Sequence, residues 1–237
     1  MIDWEASSDT FLEFSTGNGG HVVRVHGDLA TATNVAIVVP GFTTSLWNFD
    51  ASTDKNAKQL FEQMGGPHRS VATIAWLGYD APKASLFADG WAVSQTDRAE
   101  RGAKSLTSLV HSGIFQDGAA VTLVGHSYGS LLVGMAATAG LQNTIVLLGS
   151  PGIESGMIVG RGPMYVGHAP GDMVAGLLAN THVFGGSPEN LGSGIRLPVN
   201  GPSCEGMSGH SSYFRTRSLS LTNIADVADG NLLEESC

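Results

Sequence analysis

The residues most able to do chemistry stand together at Gly125-His126-Ser127-Tyr128-Gly129, a Gly-x-Ser-x-Gly between an apolar, β-branched run at 121–124 and a small-residue run at 131–137. A strand that breaks sharply into a helix at such a pattern holds its serine in a strained turn with the hydroxyl exposed. Gly125 and Gly129 leave room where the chain doubles back, and Ser127 is the candidate nucleophile. Tyr128 then brings a backbone N–H to the start of the helix, where the dipole favours a developing oxyanion. The five-residue pattern alone occurs by chance in a chain with 32 glycines. The strand before it and the helix after it are what give it meaning.

A serine hydroxyl at its ordinary pKa is a weak nucleophile, so Ser127 needs a base, and the base needs a carboxylate to orient it. Where a strand-turn-helix carries the serine, the acid and then the histidine follow in the chain. Asp172 follows an expected strand across the loop 168–171, and its competing role is to cap the next helix. Glu154, beyond the preceding strand, is the rival acid. Among the eight histidines, His182 follows Asp172 too closely to leave room for a helix and a strand, whereas His210 stands far enough on, in a glycine-flanked loop. His210 is the candidate base, and a locally bonded surface histidine is the alternative. His126 reads as a packed neighbour of the nucleophile. Phe42, after Pro40-Gly41, is the second candidate oxyanion donor beside Tyr128. Leu46, Trp47, Leu86, Phe87 and Trp91 are expected to line an apolar pocket, roofed by the loops 77–94 and 152–162. That lining suits a medium-sized acyl or aryl ester. The short distance from Ser127 to Asp172 leaves little room for an inserted lid.

These residues need a scaffold, and the patterning supplies one. Runs at 10–15 and 21–26 around a glycine-rich turn predict an N-terminal β-hairpin. Continuous apolar runs at 35–39, 70–76, 121–124, 144–148 and 163–167 read as buried strands. Helices are expected at 54–64, at 97–110 with Asp97 and Glu100 in the first turn, and over a short stretch at 172–178. A weak edge strand at 194–199, marked by Pro198, and a last helix at 218–228 complete an alternating α/β order with a mostly parallel sheet.

With 237 residues, 42% hydrophobic and 14% charged, the chain can bury a sizeable core. A formal net charge of −9 without a basic cluster argues against nucleic acid or an anionic membrane as partner. No stretch approaches a membrane span, and Met1-Ile2-Asp3-Trp4-Glu5 is not a signal-peptide start, so a cytoplasmic chain is expected. Cys204 and Cys237 carry no metal spacing and are either a disulfide or two free thiols. No metal-ligand spacing and no phosphate or dinucleotide loop is present, so no cofactor is expected.

Five stretches carry a family resemblance: Val38-Val39-Pro40-Gly41, Trp76-Leu77-Gly78-Tyr79-Asp80-Ala81-Pro82, Gly125-His126-Ser127-Tyr128-Gly129-Ser130, Leu148-Gly149-Ser150-Pro151-Gly152 and Gly209-His210-Ser211-Ser212-Tyr213. The chain resembles the α/β-hydrolase superfamily and, more narrowly, the actinobacterial α/β-hydrolase family once listed as the domain of unknown function DUF1023. Pro40-Gly41 departs from the His-Gly common in the wider superfamily. The resemblance implies a single α/β-hydrolase domain over 1–237 and a serine esterase with the triad Ser127, Asp172 and His210, acting on a small ester through an acyl-enzyme. An acyltransferase or peptidase with the same triad, or a binding module with a silent site, are the alternatives. Many members of that family carry a further helical N-terminal region, so a trimmed or stand-alone catalytic domain is expected here.

Overall fold

The computed structural model describes residues 10–17, 20–82, 91–153, 162–178, 184–190, 192, 194–201 and 209–236, with the backbone alone at 10, 91–95 and 177–178. Eight strands form one sheet: β1 (Thr10–Ser15), β2 (His21–Gly27), β3 (Asn34–Val39), β4 (Val71–Leu77), β5 (Ala120–His126), β6 (Thr144–Leu148), β7 (Met164–Gly167) and β8 (Gly194–Arg196). Their spatial order is β1-β2-β4-β3-β5-β6-β7-β8. The hairpin β1-β2 is antiparallel with a bulge between Phe11 and Glu13, and β2 meets β4 antiparallel. All remaining pairs are parallel.

The parallel strands are apolar on both faces because both faces are covered. Every residue of β4 is buried, as are Val35 to Val39 of β3. Helix α1 (Lys55–Gln63) packs with α4 (Leu219–Asp229), and α2 (Trp91–Val110) packs with α3 (Tyr128–Thr138), giving a helical layer on each face of the sheet. Helix α3, rich in Gly, Ala, Leu and Val, is buried almost throughout. Helix α4 is closed at both ends: Ser218 Oγ accepts from Leu221 N at 3.1 Å, and Gly230 (φ 72°) ends it.

The chain runs from β3 to β4 on one side and then crosses to β5 on the other, so the crevice beyond the carboxyl ends of β3 and β5 is the switch point of the sheet. Val39 and Gly125 are paired there. The segments 40–42 and 126–128 therefore leave the sheet side by side.

Several boundaries differ from expectation. Helix α2 begins at Trp91, not at 97, because 91–96 contains no glycine or proline to stop it, and Asp97 and Glu100 fall beyond its first turn. The stretch expected as a short helix at 172–178 is a single wide turn, Val174–Leu178, and another wide turn, Asp50–Asp54, leads into α1. Strand β8 is only three residues long and ends before Pro198. Among the described residues no helix is long and apolar enough to cross a membrane. Cys204, Cys237, Glu154, His182, Leu86 and Phe87 lie outside the described residues, as do most of the loops expected as a roof.

Candidate active site

Ser127 occupies the cap position of α3 with φ 57° and ψ −128°, a backbone region that costs about 1–3 kcal/mol for a residue other than glycine. Its surroundings hold it there. Ser127 N–H donates to Leu148 O at 2.8 Å, and Ser130 returns its N–H (2.9 Å) and its hydroxyl (2.5 Å) to Ser127 O. A Cβ on Gly125 would lie 2.7 Å from Gly129 O, and one on Gly129 would lie 2.6 Å from Pro40 O. Only hydrogen fits at either place.

Asp172 and His210 meet across the end of β6. The imidazole Nδ1 of His210 lies 2.9 Å from both carboxylate oxygens of Asp172. Asp172 Oδ1 also accepts from Val174 N (3.0 Å) and Ala175 N (3.1 Å), and Oδ2 accepts from the Tyr213 hydroxyl (2.6 Å). Thus the acid caps the turn that follows it and grips the histidine at once. Burial on its own would raise the Asp172 carboxyl, but the hydrogen bonds from His210 and Tyr213, the His210 charge and the Ala175 N–H outweigh it. They hold the group well below the usual carboxylate range. An ionised carboxylate only accepts, so Nδ1 of His210 carries the proton and Nε2 is left with its lone pair.

This pair needs two further residues. A Cβ on Gly149 (φ 56°) would come within 2.6 Å of Asp172 Oδ2 and 3.0 Å of His210 Nδ1, so the turn after β6 must be glycine. His126 Nε2 donates to the carbonyl of His210 at 2.6 Å, and the two rings stand 4.7 Å apart. Burial, and then repulsion by His210, lowers His126 to about 4, which keeps it neutral and its proton on Nε2 at neutral pH. The residue preceding the serine therefore holds the histidine's loop by its main chain.

The turn after β3 lies against Ser127. A Cβ on Gly41 would lie 2.6 Å from Ser127 Cβ, and Phe42 follows directly. Thr43, a β-branched residue, has φ 63°, held by Thr43 N–H to Pro82 O (2.9 Å), by its own hydroxyl to Phe42 O (2.7 Å) and by Asn48 Nδ2 to Thr43 O (2.9 Å). Tyr79 donates to Pro40 O at 2.7 Å and stacks between Trp76 (5.9 Å) and Tyr128 (6.2 Å), while Phe42 meets the Tyr128 ring at 4.8 Å. An aromatic column thus buttresses the turn that Gly41 brings against Ser127.

Ser127 and His210 line one cavity of about 1030 Å³. Phe42 lines it too, with Val38, Pro40, Ala51, Val174 and Phe214, so the wall is mixed and its apolar part is not made by the side chains expected. Its polar part comes from the stretch 48–59, chiefly Asn48, Thr53, Lys55 and Asn56, and from Ser211 and Arg215 after His210. Leu46 is elsewhere, packed where a Cβ of Gly20 would sit, and Trp47 is 92% exposed. Trp91 starts α2, and its side chain is not described. Sequence reading missed Tyr79, Gly149 and Tyr213 as parts of this site, and its only signal for them was that they stand inside the motif stretches quoted above. It also read 54–64 as a helix alone and so missed the cavity wall.

The geometry joins a serine on a strained turn and an imidazole held by a buried carboxylate at one cavity, an arrangement able to attack an electrophilic carbon. A family model described as alpha/beta hydrolase matches residues 16–183. An uncharacterized protein of Mycobacterium tuberculosis is 31% identical to this chain, over 91% of the chain and 38% of its own length. The chain therefore spans well under half of that relative. Among solved structures, a dienelactone hydrolase-like promiscuous phosphotriesterase from metagenomic libraries is 13% identical with a TM-score of 0.58, covering 94% of this chain and 98% of that one. The esterase domain of a Rhodothermus marinus protein is 13% identical with a TM-score of 0.51, over 94% and 96%. Both likenesses are of fold.

Proposed function

The chain belongs to the α/β-hydrolase family, and from that we propose that it is a serine esterase, one catalytic domain that hydrolyses small carboxylic esters. Ser127 attacks the acyl carbon. His210 takes the serine proton on Nε2 and returns it to the leaving alcohol, while Asp172 holds Nδ1–H and stabilises the imidazolium. The amides of Phe42 and Tyr128 receive the oxyanion. Water, activated by the same imidazole, then releases the acid and restores Ser127.

One observation carries this reading. A buried, ionised Asp172 grips Nδ1 of His210 through both oxygens at 2.9 Å, and that histidine shares a cavity with a serine held at φ 57°. A carboxylate used only as a turn cap has no need of the imidazole, and a serine used only as a surface residue has no need of the strain. The esterase named among the fold neighbours agrees by analogy of fold alone.

The test is labelling with a fluorophosphonate, with turnover of short p-nitrophenyl esters measured alongside. We expect the label on Ser127, and we expect Ser127→Ala to lose both label and turnover while its thermal unfolding stays near that of the unsubstituted protein. A binding module would not label. Turnover that persists in purified Ser127→Ala would remove the elbow from the mechanism.

A further inference from the structure

The sign of the charges on the cavity wall says something about the ester. We infer that the site selects esters that carry an anionic, oxygen-rich group, such as a carboxylate or phosphate, and that Lys55 and Thr53 receive it. This inference rests on the reading of Ser127 as the nucleophile of a hydrolase.

Charge is the first ground. The chain has 21 acidic and 12 basic residues, yet the described wall of this cavity includes Lys55 and Arg215 and no carboxylate. A cavity with that sign, in a protein of formal net charge −9, is a local inversion of the overall field.

The setting of Lys55 is the second. It stands where the wide turn 50–54 runs on as helical backbone into α1, and the first turn of α1 itself holds no acidic residue. Two acids do lie just before it, but both are committed to β2. Asp54 Oδ2 accepts from Arg24 at 3.0 Å and its Oδ1 pairs with His26 Nε2 at 2.9 Å, while Asp50 meets Arg24 at 3.5 Å. Arg24 and His26 thereby draw both carboxylates off the lysine. Lys55 makes no ion pair among the described residues, and its ammonium is available to a ligand.

Thr53 is the third. It is 2% exposed and lines the cavity, and its hydroxyl is buried with no hydrogen-bond partner among the described residues. Buried hydroxyls are normally paired, as Thr73 Oγ1 is with Ala57 O at 2.8 Å. A ligand oxygen that displaces the cover of Thr53 Oγ1 would satisfy that donor. Asn56 and Gln59 extend the same wall with amides.

The experiment uses esters matched in size and differing in charge. One pair places the anion on the alcohol side, 4-acetoxybenzoate against 4-acetoxybenzamide. The other places it on the acyl side, p-nitrophenyl hemiglutarate against p-nitrophenyl valerate, with uncatalysed hydrolysis subtracted. At low salt we expect kcat/KM for the anion to exceed that for the neutral ester by roughly fivefold or more in at least one pair, the scale of a partly screened ion pair with a hydrogen bond. Lys55→Gln should cut that ratio at least in half, and Lys55 is exposed enough for the variant to fold. A ratio of two or less in both pairs, or one that Lys55→Gln leaves unchanged, overturns the inference. Calorimetric binding of 4-acetoxybenzoate and 4-acetoxybenzamide to Ser127→Ala separates the two readings: failed labelling with a Lys55-dependent preference for the anion would sink the esterase and keep the anion site. Turnover of neutral esters without any preference would do the opposite.

Discussion

Replacing Asp172 with Asn exchanges one oxygen for an NH₂ group, and the hydrogen bonds around it dictate which one. Oδ1 accepts from Val174 N and Ala175 N, so the amide oxygen of Asn must take that position. The NH₂ then stands at the Oδ2 position, where it faces the Tyr213 hydroxyl and Nδ1–H of His210, two groups that both donate there in the native protein. His210 can keep Nδ1–H only by crowding Oδ1, which already accepts two backbone N–H groups, so the favoured answer is to move the proton to Nε2 and accept the NH₂ at Nδ1. The lone pair that should receive the serine proton is thereby lost. Loss of the orienting acid costs up to ~10⁴-fold in turnover, so kcat should fall by roughly two orders of magnitude or more, or about 3 kcal/mol of barrier. Asp172 lines no part of the cavity, and KM should hardly change. Initial rates on p-nitrophenyl acetate measure both constants, with Glu154→Gln as control, expected within about twofold of the unsubstituted protein. An Asp172→Asn variant that keeps more than about a tenth of kcat refutes the argument. The reverse pattern moves the acid to Glu154, and two variants near full activity mean that some other group orients His210.

Two more expectations follow from the same shell. Tyr213→Phe leaves Asp172 without one donor and Ala169 N–H without its acceptor at 2.9 Å, both in the buried interior, so urea unfolding should show a loss of about 3 kcal/mol. A loss under about 1 kcal/mol would mean that the hydroxyl does not hold the acid. His126 has a folded pKa of about 4 against about 6.5 in an unfolded chain, so as pH falls through that window the unfolded state takes up a proton that the native state refuses. Stability should therefore decline from about pH 6.5 to about pH 4, and His126→Asn should flatten that decline in the urea midpoints.

Much of the scaffold was legible because buried parallel strands announce themselves as apolar runs. The strands 35–39, 70–76 and 144–148 and the hairpin needed only local pattern, and each is present within a residue or two. The candidate site residues were legible through spacing: a glycine-flanked turn after a strand, then an acid and a histidine at later loops. What stayed hidden depends on contacts distant in sequence. Nothing near Tyr213 reveals that its hydroxyl reaches Asp172, and nothing near Tyr79 reveals that it bonds Pro40. Asp97 fits a first-turn acid and so sets the expected start of α2, but helical backbone reaches back to Trp91. Leu46 and Trp47 were assigned to the pocket by hydrophobicity and nearness to Phe42. The wide turn at 50–54 carries the chain past them and turns Thr53 and Lys55 to the cavity instead.

The hydrogen bond from His126 to the carbonyl of His210 fixes a loop without reference to the side chain that the loop presents. Truncating residue 210 would leave its backbone where it is and open a slot of imidazole size, floored by the Asp172 carboxylate and continuous with the Ser127 cavity. With the proposed triad, the scaffold is thus a receptacle for an exchangeable base: free imidazole from solution, or a non-natural heterocycle introduced at position 210, would meet Asp172 and Ser127 already held in place.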